Sequence, residues 1–72
     1  MAIRTYQSIT PVLGERAFVD ASAVVIGDVQ IGEDSSVWPL TVIRGDMHRI
    51  RIGKRTSVQD GSVLHITHAG PF

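Results

Sequence analysis

The 72-residue sequence contains no cysteine. This absence excludes disulfide bonds, thiolate metal sites and a cysteine nucleophile. A free-standing chain this short normally needs disulfides, a metal ion or partner chains to be stable. With disulfides excluded, a metal ion and partner chains are the means of stabilisation that remain.

Long apolar runs and an excess of one charge are also missing. The longest aliphatic run, residues 23–26, is too short for a membrane span or a signal-peptide core. Seven Lys and Arg balance seven Asp and Glu. We therefore expect neither a nucleic acid nor a membrane as a partner, and the cytoplasm as the compartment.

Aliphatic residues recur every six positions along most of the chain, with a single gap of nine. These eight marker residues are Val19, Val25, Ile31, Val37, Ile43, Ile52, Val58 and Leu64. A helix would repeat at three and four, and a half-buried strand at two. A spacing of six predicts an all-β fold, a parallel β-helix of hexapeptide repeats in which three hexads form one triangular coil.

The position four residues after a marker supports this interpretation, because in most repeats it is small or β-branched, as a narrow interior requires. The residues concerned are Ala23, Val29, Ser35, Thr41, Thr56 and Ser62. A small antiparallel β domain would explain the turn-forming residues between the markers, but not eight markers in register.

The repeats define two segments. Residues 1–18 are expected to cap the first coil, and residues 19–72 to form an incomplete β-helix of about two and a half coils. The sequence reaches Phe72 without a polar terminal repeat, so we expect the N-terminal part of a longer solenoid, truncated at its C-terminal end.

Polar side chains follow three markers. Arg44, Gln59 and His65 each come one position after a marker and should point outward, because neighbouring strand residues alternate. Gln59 and His65, six apart, lie on adjacent faces of one coil. Arg44 and His65 are separated by one coil plus the three inserted residues, so we expect them about 5 Å apart on one face. With Asp46 and Asp60 they form an outward polar ridge, suited to docking a second copy.

His65 is a candidate metal ligand, since imidazole is a common ligand for zinc. The alternative is an ordinary surface histidine. His68 faces the opposite way on a strand unless a corner intervenes, and His48 approaches only if the inserted loop folds over. The Arg-Gly-Asp tripeptide at 44–46 is interpreted as chance, and the basic cluster at 49–55 as a solvated strand face or subunit contact.

Four segments together resemble the γ-class carbonic anhydrase-like family of left-handed β-helix proteins. They are Val25–Val29, Ser36–Pro39, Val42–Asp46 and Val58–His65. The most specific part is Arg-x-Asp followed by Gln-Asp-Gly-x-x-x-His. Hexapeptide acyltransferases share the six-residue spacing but not this outward set of side chains. The resemblance implies a left-handed parallel β-helix.

The resemblance also implies a homotrimer with a divalent ion at each interface, held by three histidines from two chains. His65 matches the first ligand, and the other two lie beyond residue 72. The ion is zinc, with iron or cobalt as alternatives. Gln59 matches the residue that hydrogen-bonds the metal-bound water, and Arg44, Asp46 and Asp60 match a salt-bridge cluster across the interface. The implied chemistry is hydration of carbon dioxide to bicarbonate by a metal-bound hydroxide.

Met47 and His68 replace two acidic residues that serve proton export in the family. His68 is expected to shuttle protons or to support the metal ligands. The 72-residue chain alone should be inactive, since one histidine per chain does not close a zinc site. Two other functions fit this scaffold: a coenzyme-A-dependent acyltransferase, and an assembly module whose polar ridge only joins trimers.

Overall fold

The structure, a computed structural model, describes residues 1–66. This part of the chain contains eight strands and no helix, and so no helix of the length and apolarity needed to cross a bilayer. The strands are β1 (Ala2–Arg4), β2 (Val12–Leu13), β3 (Phe18–Val19), β4 (Val24–Ile31), β5 (Ser36–Val37), β6 (Val42–Ile52), β7 (Ser57–Val58) and β8 (Val63–His65).

Two parallel sheets contain all eight strands. One has the order β1-β4-β6-β8, with β2 also paired to β4, and the other has the order β3-β5-β7. Every pairing between these strands is parallel. Residues 1–18, expected to cap the first coil, contribute β1 and β2, and both pair with β4.

The pairings stack the marker residues in three interior columns. Val19 lies beside Val37 and then Val58, Val25 beside Ile43 and then Leu64, and Ile31 beside Ile52. Paired residues are therefore one coil apart in sequence, which confirms the parallel β-helix. The antiparallel alternative is wrong, because a six-residue spacing reflects stacking between coils and not pairing across hairpins.

The core consists of these columns and their neighbours. Seven of the eight markers are buried, and Leu64, on the last described strand, is half-buried against them. Ser35 and Thr41 are buried as predicted, and their hydroxyls donate to the carbonyls of Gly53 and Gln59 one coil on. Thr56 is exposed, contrary to the spacing argument, because no described strand lies over it.

One corner of the prism is a stack of residues with left-handed backbone. Arg16, Asp34 and Arg55 have φ of 57°, 57° and 50°. The Asp34 N–H donates to the Glu15 carbonyl, and the Arg55 N–H to that of Glu33, one coil earlier in each case. Arg16 also binds the Asp34 carboxylate through Nε and Nη2, at 2.6 and 2.9 Å. We call this the ladder corner.

A second corner accommodates the three extra residues predicted by the nine-residue gap. Val24 pairs with Val42, eighteen positions on, whereas Val29 pairs with Ile50, twenty-one positions on. The extra residues therefore bulge from β6 opposite Asp28. Because β4 and β6 each continue around this corner, two hexads share one strand.

Candidate metal centre

His65, the last residue of β8, lies on the outward surface of the five-stranded sheet. It pairs with Arg44 on β6, which confirms the predicted stacking of these two residues on one face. Asp46, two positions beyond Arg44 and at the start of the bulge, lies close to the imidazole of His65. The His65 side chain is 23% exposed and the Asp46 side chain 18%, so both are partly withdrawn from water.

A chain of polar contacts joins these three residues. Arg44 Nη2 donates to Asp46 Oδ2 at 2.8 Å, and the Met47 N–H donates to Asp46 Oδ1 at 3.0 Å. The Arg44 hydrogen bond holds the pKa of the Asp46 carboxyl below its ordinary value of 3.8, although partial desolvation opposes the shift. Asp46 is therefore a fixed negative charge at neutral pH. We call Arg44, Asp46 and His65 the ionic cluster.

His65 Nε2 is the unsatisfied atom of the ionic cluster. It lies 3.3 Å from Asp46 Oδ1, within ion-pair distance, but the two groups are not aligned for a hydrogen bond. Nε2 is shielded from solvent and has no hydrogen-bond partner among the described residues. A shielded polar atom without a partner is costly, and a cation held between imidazole and carboxylate would remove that cost. The donors present therefore fit a divalent ion such as zinc.

Residues 1–66 do not supply a complete set of ligands. Within residues 1–66 no three His, Cys, Asp or Glu side chains converge on one point. Tetrahedral zinc sites need three or four protein ligands. The described part of the chain thus offers one imidazole, supported by an ion pair, and any further ligands must come from elsewhere. His68 lies outside the described residues.

Gln59 and Asp60 follow β7 and lie away from the ionic cluster. Both side chains are exposed, and within residues 1–66 neither has a hydrogen bond or salt bridge to Arg44, Asp46 or His65. The Gln59 carbonyl instead accepts hydrogen bonds from the Thr41 hydroxyl and from Ser62, which fix the corner. Gln59 directly follows β7 of the three-stranded sheet, whereas His65 ends β8 of the five-stranded sheet, so the two lie on different faces, as the spacing predicted.

An apolar column beside the ionic cluster was not predicted. Val24, Val42 and Val63 pair across the five-stranded sheet, two positions before the column that contains Arg44 and His65. These valines share the outward surface with His65, and Val63 is 66% exposed. The sequence signal for this column is a valine at the matching outward position of three successive coils.

A groove at the second corner was also not predicted. Four extra residues precede β2, because Arg4 pairs with Ile26 but Val12 pairs with Gln30. They form a small hairpin closed by the antiparallel bridge between Tyr6 and Ile9. No marker falls in this segment, so the six-residue spacing gave no signal for it.

The hairpin faces the bulge of β6 across a cavity of about 230 Å³, which we call the corner groove. Its lining residues are Tyr6, Gln7, Ile9, Asp28, Gly45, Asp46, Met47, His48 and Arg49. A larger cavity of about 340 Å³ at the last coil is lined mainly by Ile50, Ile52, Leu64 and neighbouring residues, and is the end of the core columns.

Phe18 and Trp38 form an exposed aromatic pair on the three-stranded sheet. Their ring centroids are 5.2 Å apart, and Trp38 Nε1 donates to the Ser36 hydroxyl at 3.0 Å. The Trp38 N–H donates to the Val58 carbonyl, which places Trp38 beside Gln59. The surface that presents Gln59 therefore has an apolar component, like the surface that presents His65.

Six-residue coils with stacked aliphatic columns define a hexapeptide-repeat protein. The sequence matches the family described as Bacterial transferase hexapeptide (six repeats) over residues 10–45, half of the chain. A crystal structure of a hexapeptide transferase family protein from Anaplasma phagocytophilum has a similar fold, with a TM-score of 0.72 and 26% identity. The similarity covers 86% of this chain and 49% of that one, and the fold is a left-handed parallel β-helix.

Individual relatives narrow the family further. Protein YrdA of Escherichia coli is 50% identical over 70 residues, 97% of this chain and 38% of that protein. Gamma carbonic anhydrase 1, mitochondrial, of Arabidopsis thaliana is 46% identical over 56 residues, 78% of this chain and 20% of that protein. The chain thus spans well under half the length of these relatives. It belongs to the γ-carbonic anhydrase-like family of hexapeptide-repeat proteins.

Proposed function

We propose that this chain contributes one imidazole and its supporting ion pair to a zinc site that hydrates carbon dioxide to bicarbonate, shared between copies in a homotrimer. Iron and cobalt are the alternative ions. The single observation that carries the proposal is the shielded, unpartnered Nε2 of His65 beside the charged carboxylate of Asp46. Relatives with carbonic anhydrase names support the same choice of reaction.

The surface around His65 supports sharing between copies. Residues 1–66 supply too few ligands, and in this proposal a second chain that approaches His65 closely contributes to the site. The exposed Val63 and its column offer apolar area for that contact on the same flat surface. Gln59 and Asp60, exposed on the other sheet, are free to reach the site of a neighbouring copy.

Each member of the ionic cluster has a role in this proposal. A zinc ion, when bound, supplies Lewis-acid activation of water at neutral pH. Arg44 fixes the orientation of Asp46, and the Asp46 charge favours a cation at Nε2 of His65. Gln59 from the neighbouring copy orients the water through its amide, and the apolar column excludes bulk water. Carbon dioxide, being apolar, is suited to such a surface.

The proposal is tested by metal content and kinetics on the protein as its gene encodes it. Wild type should retain zinc at about one ion per chain and hydrate carbon dioxide in stopped-flow assays. His65→Ala should lose the ion and at least about a hundredfold in rate. His48→Ala is the matched histidine control and should keep its zinc.

Three results would contradict this function. Zinc retained by His65→Ala at unchanged stoichiometry would overturn the ligand assignment. Saturation by acetyl-coenzyme A without metal dependence would indicate an acyltransferase, as would suit the name of the matched family. An intact trimer that binds no metal would indicate an assembly module.

A further inference from the structure

The indole of Trp38 is fixed in place on the outward surface of the three-stranded sheet. Its Nε1 donates to the Ser36 hydroxyl at 3.0 Å, and its centroid lies 5.2 Å from that of the Phe18 ring. Trp38 nevertheless remains 39% exposed. Because the single N–H of the ring is already used, the exposed part of the indole offers a π surface rather than a hydrogen bond.

Arg44 presents a group that complements this π surface, on the other sheet. Its Nη2 donates to Asp46 Oδ2 at 2.8 Å, and its side chain remains 42% exposed. That hydrogen bond engages one edge of the guanidinium, whose planar faces are suited to stacking on an aromatic ring. Among aromatic side chains, Trp attracts a cation best, and Arg is the cation most often found there.

The positions of these two residues repeat those of Gln59 and His65 one coil earlier. Trp38 precedes Arg44 by six residues, the same interval that separates Gln59 from His65. The Trp38 N–H donates to the carbonyl of Val58, which places Trp38 beside Gln59. Arg44 pairs with His65 across the other sheet. Each coil therefore carries one member of such a pair on each of the same two faces.

A threefold arrangement of the chains brings the two members of each pair together from different copies. The proposed function places Gln59 of one copy at His65 of the next, and both residues belong to the same coil. A threefold axis along the solenoid achieves this, because the rotation leaves the height of every coil unchanged. The same rotation brings Trp38 of one copy to Arg44 of the next, about 4.8 Å away along the axis.

We propose that Trp38 of one copy stacks on the guanidinium of Arg44 in the neighbouring copy and is a positioning residue of the shared site. This inference rests on the proposed function. The indole holds Arg44 in the orientation in which it binds Asp46, and Asp46 keeps its charge beside Nε2 of His65. The stacked ring also withdraws the bond between Arg44 and Asp46 from water, which strengthens it.

A double-mutant cycle on the protein as its gene encodes it tests the contact. Analytical ultracentrifugation gives the trimer dissociation constant of wild type, Trp38→Leu, Arg44→Met and the double variant. Each single variant should raise this constant at least about tenfold, because three contacts are lost per trimer. The double variant should match Arg44→Met within about twofold, since the indole has no cation left to bind.

Two further variants separate the π surface from apolar area in general. Trp38→Phe keeps an aromatic face that attracts a cation less strongly, so its dissociation constant should lie between those of wild type and Trp38→Leu. Tyr6→Leu removes an aromatic ring that is 40% exposed at the second corner, and it should leave the dissociation constant unchanged.

NMR supplies a signature that loss of packing alone would not produce. In the wild-type trimer the ring current of the indole should move the Arg44 side-chain protons upfield of their positions in the Trp38→Leu trimer. Unshifted Arg44 protons, or single-variant effects that simply multiply in the double variant, overturn the inference. A coupled, shifted trimer that does not hydrate carbon dioxide overturns the proposed reaction and leaves the contact standing. A wild-type chain that stays monomeric overturns both.

Discussion

At the scale of single residues, the interior was the most predictable part of the molecule. The marker side chains recur because each one packs on the equivalent marker of the next coil. Counting residues along the chain therefore locates the columns. The pairing of Arg44 with His65 followed from the same count, once the three extra residues were included. The approach of Asp46 to His65 did not, because it depends on how the bulge turns after Arg44.

Gly45 provides a prediction at this scale. A Cβ there would lie 2.5 Å from the backbone oxygen of Asp28, whereas the nearest atom to a Cβ on Gly53 is 3.8 Å away. Gly45→Ala should lower the free energy of unfolding by about 1–3 kcal/mol, because backbone must move. Gly53→Ala should raise it by about 0.4–1 kcal/mol through the unfolded state. Urea denaturation measures both, and equal effects at the two glycines would contradict the close approach.

At the scale of elements, corners were harder to predict than strands. The six-residue spacing predicts that a strand ends at the corner after every hexad. β4 and β6 instead continue around the second corner, because their parallel pairing resumes beyond the bulge. The hairpin at residues 5–10 was missed because an insertion in the first coil interrupts no established spacing. Polar, turn-forming residues alone do not distinguish a simple corner from an inserted hairpin.

The ladder corner gives the pH prediction. The Arg16 hydrogen bond lowers the pKa of the Asp34 carboxyl below 3.8. A lowered folded-state pKa contributes stability that is present above the unfolded pKa and lost as the pH falls through the folded value. Asp34→Asn should therefore reduce the urea midpoint at pH 6 and leave it unchanged near pH 2.

Arg16→Gln serves as the partner variant for this measurement. It should show the same pH dependence as Asp34→Asn, and the double variant should add little, because both changes break one ion pair. If the urea midpoint of wild type exceeded that of Asp34→Asn by the same amount at pH 2 as at pH 6, the carboxylate charge would not be the source of the stability.

At the scale of the whole molecule, the proposed site needs ligands beyond those that residues 1–66 supply. The outward surface with the ionic cluster contains the exposed Val63, and the described residues on it supply too few ligands to complete a metal site. The sequence alone predicted the surface, since outward positions follow the markers. It did not predict which groups would complete the proposed site at His65, because contacts between chains leave no periodic pattern.

Val63→Lys tests this dependence. An unpaired ammonium buried between copies should raise the dissociation constant of the trimer by at least about a hundredfold, and zinc should be lost with it. The control is Val12→Lys, the same change at an exposed valine on another face. It should leave the dissociation constant and the zinc content unchanged. Analytical ultracentrifugation measures the dissociation constant, and metal analysis of the same samples measures the zinc content. A Val63→Lys trimer that keeps its zinc would place the interface elsewhere.

The two insertions at the second corner show that chain length is absorbed there without disturbing the stack. Val12 and Ile50 resume their pairing with β4 immediately after each excursion, so the coils above and below are unaffected. We therefore expect this corner to accept inserted peptides of different lengths while the coils on either side keep their register. Sequence changes at this corner can also alter the surroundings of Asp46 in the ionic cluster while the interior columns stay fixed.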